Sequence, residues 1–227
     1  MLIKELKLTK VLQGDAINPY EGESSDLKNI LKQNGWEILG QGQEALVAEH
    51  PNKSYVLKLF YTNSKYVNFV EHVKDNQSNP HYPKFSRYIK NVPGTEYSYV
   101  RMEKLSKTNA SEIMNDHFPE LCALYMEGKK RELQSLGSDL WLSYIPDKIK
   151  ELYDVNLRPK DGKPPSFPED INKTMKDITK NVDRSWFEVC HDIVDLAKEL
   201  RLKWLDLRDE NFMKRGSTLI VADPFYD

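Results

Sequence analysis

Trp204-Leu205-Asp206-Leu207-Arg208-Asp209-Glu210-Asn211, followed after a short hairpin pattern by Ala222-Asp223-Pro224, is the stretch on which the reading of the fold turns. An aspartate, an asparagine five residues on and a second aspartate twelve residues further, closing an apolar strand, supply one candidate base and two oxygen ligands for a hard cation. Asp and Asn are equally at home in turns, and Asp-Pro is a common turn starter. This spacing alone therefore does not separate an ion site from a pair of solvated loops. The decision comes from a second block far upstream.

There, Trp36-Glu37-Ile38-Leu39 alternates as a strand and runs into Gly40-Gln41-Gly42-Gln43-Glu44-Ala45-Leu46-Val47. Glycines at such a bend let backbone amides approach phosphate oxygens closely, although a plain hairpin turn also uses them. Leu46 to Glu49 reads as a second strand, His50 to Lys53 as a turn, and Ser54 to Phe60 as a third strand with Lys58 embedded in it. A lysine inside an apolar strand needs a reason, because its charge is costly to bury unpaired. Phosphate oxygens would supply one; a stem that snorkels to solvent is the alternative.

Asn63 to Asp75 has helical spacing at Tyr66, Phe69, Val70 and Val73, and Glu71 is its only glutamate. Asn76 to Pro83 reads as a loop. Phe85 to Val92 and Tyr97 to Met102 read as strands joined by Pro93-Gly94, completing a five-stranded antiparallel lobe. Ahead of this lobe, Ile3 to Leu12 fits either a strand or a helix, and Asn18 to Ser25 is turn-like. A helix capped by Ser25 carries Leu27, Ile30 and Leu31 and ends at Asn34-Gly35.

The second half is mainly helical. Ser111 to Glu127 has a helical pattern that Pro119 must break, Arg131 to Tyr153 is helical in pieces around Pro146, and Glu169 to Leu202 is a long pattern with a junction at Asp183 to Ser185. Met126, Trp141 and Tyr144 are explained by core packing. Arg158 to Pro168, with Pro159, Pro164, Pro165, Pro168 and Gly162, cannot be regular structure; Lys160 and Lys163 in it could touch an acidic partner or simply be solvated. The last helix delivers the chain to Trp204, and a hairpin turning at Arg215-Gly216-Ser217 leads to Asp223.

Of the 227 residues, 39% are hydrophobic and 30% charged, which fits a globular chain with a real core. No run approaches the eighteen apolar residues of a membrane span, and Met1 to Glu5 lacks the apolar stretch of a signal peptide, so a cytoplasmic location is expected. Cys122 and Cys190 have no metal-type spacing and read as reduced core thiols. A net charge of -2 offers no general attraction to nucleic acid, so no specific nucleic-acid partner is expected.

In their order along the chain, Gly40-x-Gly42-x-x-Ala45-x-Val47, Val56-Leu57-Lys58, Asp206-x-x-x-x-Asn211 and Asp223-Pro224 resemble the protein kinase superfamily, and within it the small serine/threonine kinases of short-tailed bacteriophages. The resemblance covers roughly residues 36 to 105 and 200 to 225. It implies an α+β, bilobal protein-kinase-like fold: a five-stranded antiparallel N-lobe over 1–104 and a truncated, mainly helical C-lobe over 105–227. It also implies an ATP- and magnesium-dependent protein serine/threonine kinase acting on itself or on a host protein, in the host cytoplasm if phage-encoded. Asp206 would accept or orient the substrate hydroxyl proton, Arg208 would stand against the transferred phosphate, and Asn211 and Asp223 would hold magnesium. Lys58 would bridge the nucleotide phosphates and Glu71. Gly40, Gly42 and Val47 would form the nucleotide lid, with a hinge at Arg101-Met102-Glu103-Lys104-Leu105 offering backbone groups to adenine.

Several positions depart from that pattern. Trp204-Leu205 replaces His-Arg, which removes the basic pocket for an activation-loop phosphate. Pro224-Phe225 replaces Phe-Gly, and the chain given ends four residues past Asp223. The absence of a substrate platform motivates a second reading, a pseudokinase-like binding protein that inhibits a host factor. A third is a small-molecule phosphotransferase, because antibiotic and sugar kinases of related fold share the Asp-Asn and terminal aspartate set. The sequence names neither substrate nor oligomeric state.

Overall fold

A computed structural model describes residues 22–41, 45–92, 95–131, 169–202 and 205–225. Ile3 to Leu12, Gly42, the Pro93-Gly94 turn, the helical pieces after Arg131, the proline-rich Arg158 to Pro168 and Trp204 lie outside the described residues. The chain is α+β and divides into two compact units. One comprises residues 1–75 and 84–104, the other residues 76–83 and 105–227. Segment 76–83 goes with the second unit.

In the first unit, α1 (Gly22–Gln33) begins one turn earlier than the Ser25 cap predicts, so the turn-like stretch is helical from Gly22 onward. Its end is set by Gly35, whose φ of 81° is a left-handed conformation open to glycine. The Gly35 and Trp36 amides donate back to Lys32 and Leu31 carbonyls, and a Cβ on Gly35 would meet the His50 ring at 3.0 Å.

The sheet that follows has β1 (Glu37–Gln41), β2 (Ala45–Glu49), β3 (Tyr55–Tyr61), β4 (Lys90–Asn91) and β5 (Tyr97–Glu103) in the order β1-β2-β3-β5-β4, all antiparallel. The two-residue alternation of β3 sorts its neighbours. Leu57 and Leu59 lie opposite Ala48 and Leu46, on the face that Leu27 and Leu31 of α1 cover. Val56, Lys58 and Phe60 take the other face, where α2 (Lys65–Asp75) buries Tyr66, Phe69, Val70 and Val73. Both faces of β3 are thus covered, which is why its interior residues are all buried.

The strand expected over Phe85 to Val92 shrinks to β4 plus an isolated bridge between Phe85 and Met102. Arg87 and Tyr88 swing out to solvent between these two anchors, leaving a broken edge that a further strand cannot easily join.

The second unit contains α3 (Ala110–Asp116), capped by the Asn109 side chain, and α4 (Phe118–Lys130). The break expected at Pro119 falls at His117. Pro119 itself sits in the first turn of α4, where a missing amide hydrogen is harmless. The long 169–202 pattern becomes α5 (Glu169–Ile178), a 3-10 turn at Thr179–Asn181, and α6 (Arg184–Glu199), whose first turn is capped by Asp183 accepting from the Ser185 amide at 2.8 Å.

Trp186 fixes α6 against α4 by donating from its indole to the Glu120 carbonyl at 2.8 Å. Cys122 and Cys190 are free and buried in this helical core, and burial pushes the Cys122 thiol up to about 12. A small sheet of β6 (Ser106–Lys107), β7 (Phe212–Arg215) and β8 (Thr218–Val221) completes the unit, with Gly216 supplying the positive φ at the β7–β8 turn.

Segment 76–83 is stitched to this framework. Asn79 donates to the Ser185 carbonyl at 2.8 Å, the His81 ring meets the Leu219 carbonyl at 2.8 Å, and Arg215 donates to the Pro80 and Tyr82 carbonyls. His81 and Tyr82 are buried, so a stretch that reads as a connector is part of the second core.

Candidate active site

Each unit carries its own set of functional candidates. In the first, cross-strand register aligns Val47, Lys58 and Val100 in one row on the α2 side of the sheet. Gly40 is the penultimate residue of β1, paired with Val47 after an irregularity in the ladder, and a Cβ there would meet nothing within 4 Å. Lys58 is 4% exposed, so its charge is held inside the protein rather than snorkelled outward. Its Nζ stands 3.6 Å from the centroid of the Tyr66 ring.

Glu71 is elsewhere. Its carboxylate accepts from Lys74 at 2.9 Å on the same helix, and its side chain is 59% exposed. The expectation that it pairs with Lys58 is corrected by helical phase. At 3.6 residues per turn Glu71 lies roughly 150° around α2 from the centre of the Tyr66, Phe69, Val70 and Val73 stripe. Those spacings are in the sequence, so the correction was legible there.

Glu103, expected in the hinge, is the last residue of β5. Its amide donates to the Lys84 carbonyl at 2.9 Å, and its carboxylate accepts from the Lys84 amide at 2.7 Å. That amide is therefore committed to the sheet edge.

In the second unit, α6 closes with Arg201 at a φ of 57° and the Leu202 amide donating back to Ala197. The loop beyond it is pinned by Leu205 and Leu207, both fully buried on either side of Asp206. Backbone hydrogen bonds then tie this loop to the Ala222–Pro224 segment. The Asp206 amide donates to the Pro224 carbonyl at 2.8 Å, and the Ala222 and Asp223 amides converge on the Asn211 carbonyl at 2.9 and 3.3 Å. The Asn211 side-chain amide donates to the Asp206 carbonyl at 3.1 Å, which leaves its Oδ1 as the atom that could ligate a cation. Asp206, Asn211 and Asp223 are brought together within one unit.

The sequence did not show what Arg208 does to Asp206. Its Nε and Nη2 donate to the two carboxylate oxygens at 2.8 and 2.7 Å, a planar fork, while its Nη1 pairs with Glu210 at 2.8 Å. The hydrogen bonds to Asp206, with the charges of Asp206, Glu210 and Asp223, hold the guanidinium above its ordinary value. Residues two apart in a chain meet this way only through the loop conformation, which spacing cannot reveal.

Among the described residues no group of three or more His, Cys, Asp or Glu side chains could hold a metal. The Asn211 and Asp223 oxygens fit a different requirement: magnesium binds through one or two protein oxygens completed by phosphate oxygens and water. No helix among the described residues is long and apolar enough to cross a membrane.

No protein-family model and no curated protein matches the chain. Among solved structures, a ternary complex of streptomycin, ATP and APH(2")-IIa is similar at 16% identity, covering 92% of this chain and 71% of that one, with a TM-score of 0.31. A likeness at that score bears on neither the fold nor the function of this chain.

Proposed function

We propose that the chain is an ATP- and magnesium-dependent phosphotransferase of the protein kinase type that transfers the γ-phosphoryl group to a serine or threonine of a protein. The observation that carries this reading is the backbone-locked set of Asp206, Asn211 and Asp223. In this reading the set supplies one carboxylate to a hydroxyl acceptor and two oxygens to magnesium. The buried Lys58, in a row with Val47, supports it from the first unit.

In this reading Lys58 holds nucleotide phosphate, Gly40, Gly42 and Val47 cover the nucleotide, and Asn211 and Asp223 hold magnesium. Asp206 orients the acceptor hydroxyl and takes its proton. Arg208 moves between the Asp206 carboxylate and the charge that develops on the transferred group. Glu103 belongs to the stretch that offers backbone groups to adenine, through its carbonyl rather than its committed amide. Glu71 is left outside the site. Magnesium held by Asn211 and Asp223 would supply charge neutralisation at the nucleotide phosphates; positioning by these side chains supplies the rest.

The test is incubation with magnesium and γ-labelled ATP in the presence of mixed protein acceptors, followed by separation of labelled protein from labelled small molecules. Label on serine or threonine with the wild type, lost with Asp206→Ala, is the expected result. Label confined to a small-molecule acceptor would replace the protein acceptor with a low-mass one.

A second reading, a binding protein on the same scaffold, is favoured by one observation: both carboxylate oxygens of Asp206 are already taken by Arg208. Transfer by neither protein, together with a partner retained equally by wild type and by the Lys58→Ala, Asp223→Ala double variant, would decide for it.

A further inference from the structure

We infer that Tyr66, rather than any carboxylate of α2, is the residue that positions Lys58, and that it does so through the face of its ring. This inference rests on the proposed role of Lys58 toward nucleotide phosphate. The Lys58 ammonium lies 3.6 Å from the Tyr66 ring centroid, well inside the range of a cation–π contact, and both residues are 4% exposed. In so dry a setting the contact is stronger than the same pair would be at a surface.

The ring itself cannot turn away. Phe60 meets it at 5.2 Å and Phe85 at 6.2 Å, both edge-on, and Phe69 packs against it at 5.6 Å. Phe60 is two residues beyond Lys58 on the same face of β3, so one strand sets both the lysine and part of the ring's cage. The Tyr66 amide is fixed by the buried Ser64 hydroxyl at 3.1 Å, which places the tyrosine in the first turn of α2. The only glutamate of α2 is turned to solvent and engaged with Lys74.

The difference between a ring and a carboxylate is chemical. A carboxylate neutralises an ammonium and competes with an incoming anion for it. An aromatic face stabilises an ammonium without itself neutralising the charge or competing with an anion for it. Tyr66 is a positioning residue in this account: it touches Lys58, and acts on the nucleotide through it. The phenolic hydroxyl is not needed for that role, because phenylalanine carries the same ring quadrupole.

The experiment uses the full chain with its lysines isotope-labelled for NMR. The Lys58 signal is assigned by its disappearance in Lys58→Arg, and KM for ATP and kcat are measured alongside. The Lys58 ε-methylene resonance is expected upfield of the other lysines through the ring current, retained in Tyr66→Phe and Glu71→Gln, and lost in Tyr66→Leu. KM for ATP should rise about tenfold in Tyr66→Leu with a smaller change in kcat, and stay unchanged in the other two variants. An unshifted Lys58 resonance in the wild type overturns the inference, whether or not Tyr66→Leu folds. So does a rise in KM for Glu71→Gln equal to that for Tyr66→Leu. If the resonance is shifted but Lys58→Ala leaves ATP affinity unchanged, the ring contact stands and the nucleotide role of Lys58 falls.

Discussion

Lys58 and Asp206 are both charged side chains kept from water, 4% and 8% exposed, yet the chain holds them by opposite means. Lys58 sits on a pleated strand, and its charge faces a neutral ring caged by other rings. Asp206 sits on irregular backbone, and its charge is gripped by a two-point fork while its own amide and carbonyl are hydrogen-bonded to Pro224 and Asn211. In the proposed function, a soft, packing-based hold suits a group that meets a nucleotide. In the same proposal, a hydrogen-bonded hold suits a loop whose geometry would set where a proton and a metal are placed. Substitutions on the two sides should therefore fail differently.

The largest expected effect is on the Asp206 side. Asp206→Ala should lower phosphate transfer by about 10²–10⁴-fold in a labelled-ATP assay, with ATP affinity little changed. Arg208→Ala comes next, at roughly 10²-fold in kcat, because it removes a charge proposed to move to the reacting phosphate. Intact transfer in Arg208→Ala would make the fork a purely structural clasp.

Stability separates the two regions more sharply than rate does. Asn211→Ala deletes the side-chain donor to the buried Asp206 carbonyl and should lower stability by about 1–3 kcal/mol in urea unfolding. Lys58→Met keeps a side chain of similar length and gives up the ammonium's ring contact together with the cost of burying its charge. It should weaken ATP binding while leaving the urea midpoint unchanged or higher. A large loss of stability in Lys58→Met would break the contrast between the two holds. The smallest effect is expected at Glu71, where Glu71→Gln loses only an exposed pair with Lys74 and should stay within about 0.5 kcal/mol of wild type.

Much of this was readable beforehand, and the limits have physical causes. Period-two alternation around Lys58 and the apolar stripe of α2 announced β3 and α2 directly. The same stripe, taken as an angle, also excluded Glu71 from facing the strand. The Asp206, Asn211 and Asp223 set was visible as spacing because a loop followed by a hairpin fixes their order. Three features were not visible. The Arg208 fork depends on loop torsions. The broken edge at Arg87 and Tyr88 lies in a stretch whose composition suits a strand. Segment 76–83 reads as a connector because its anchors are turn residues whose partners lie 106 to 138 residues away in sequence.

The most direct test of the central claim, that Lys58 and Asp206 serve one phosphoryl transfer, is a double-mutant cycle on the rate of transfer from γ-labelled ATP. Wild type, Lys58→Ala, Asp206→Ala and the double variant are compared at saturating magnesium. Groups that act in one step lose their effects together, so the double variant should be no slower than the worse single variant. Losses that multiply independently, or a wild type no faster than Asp206→Ala, would contradict it.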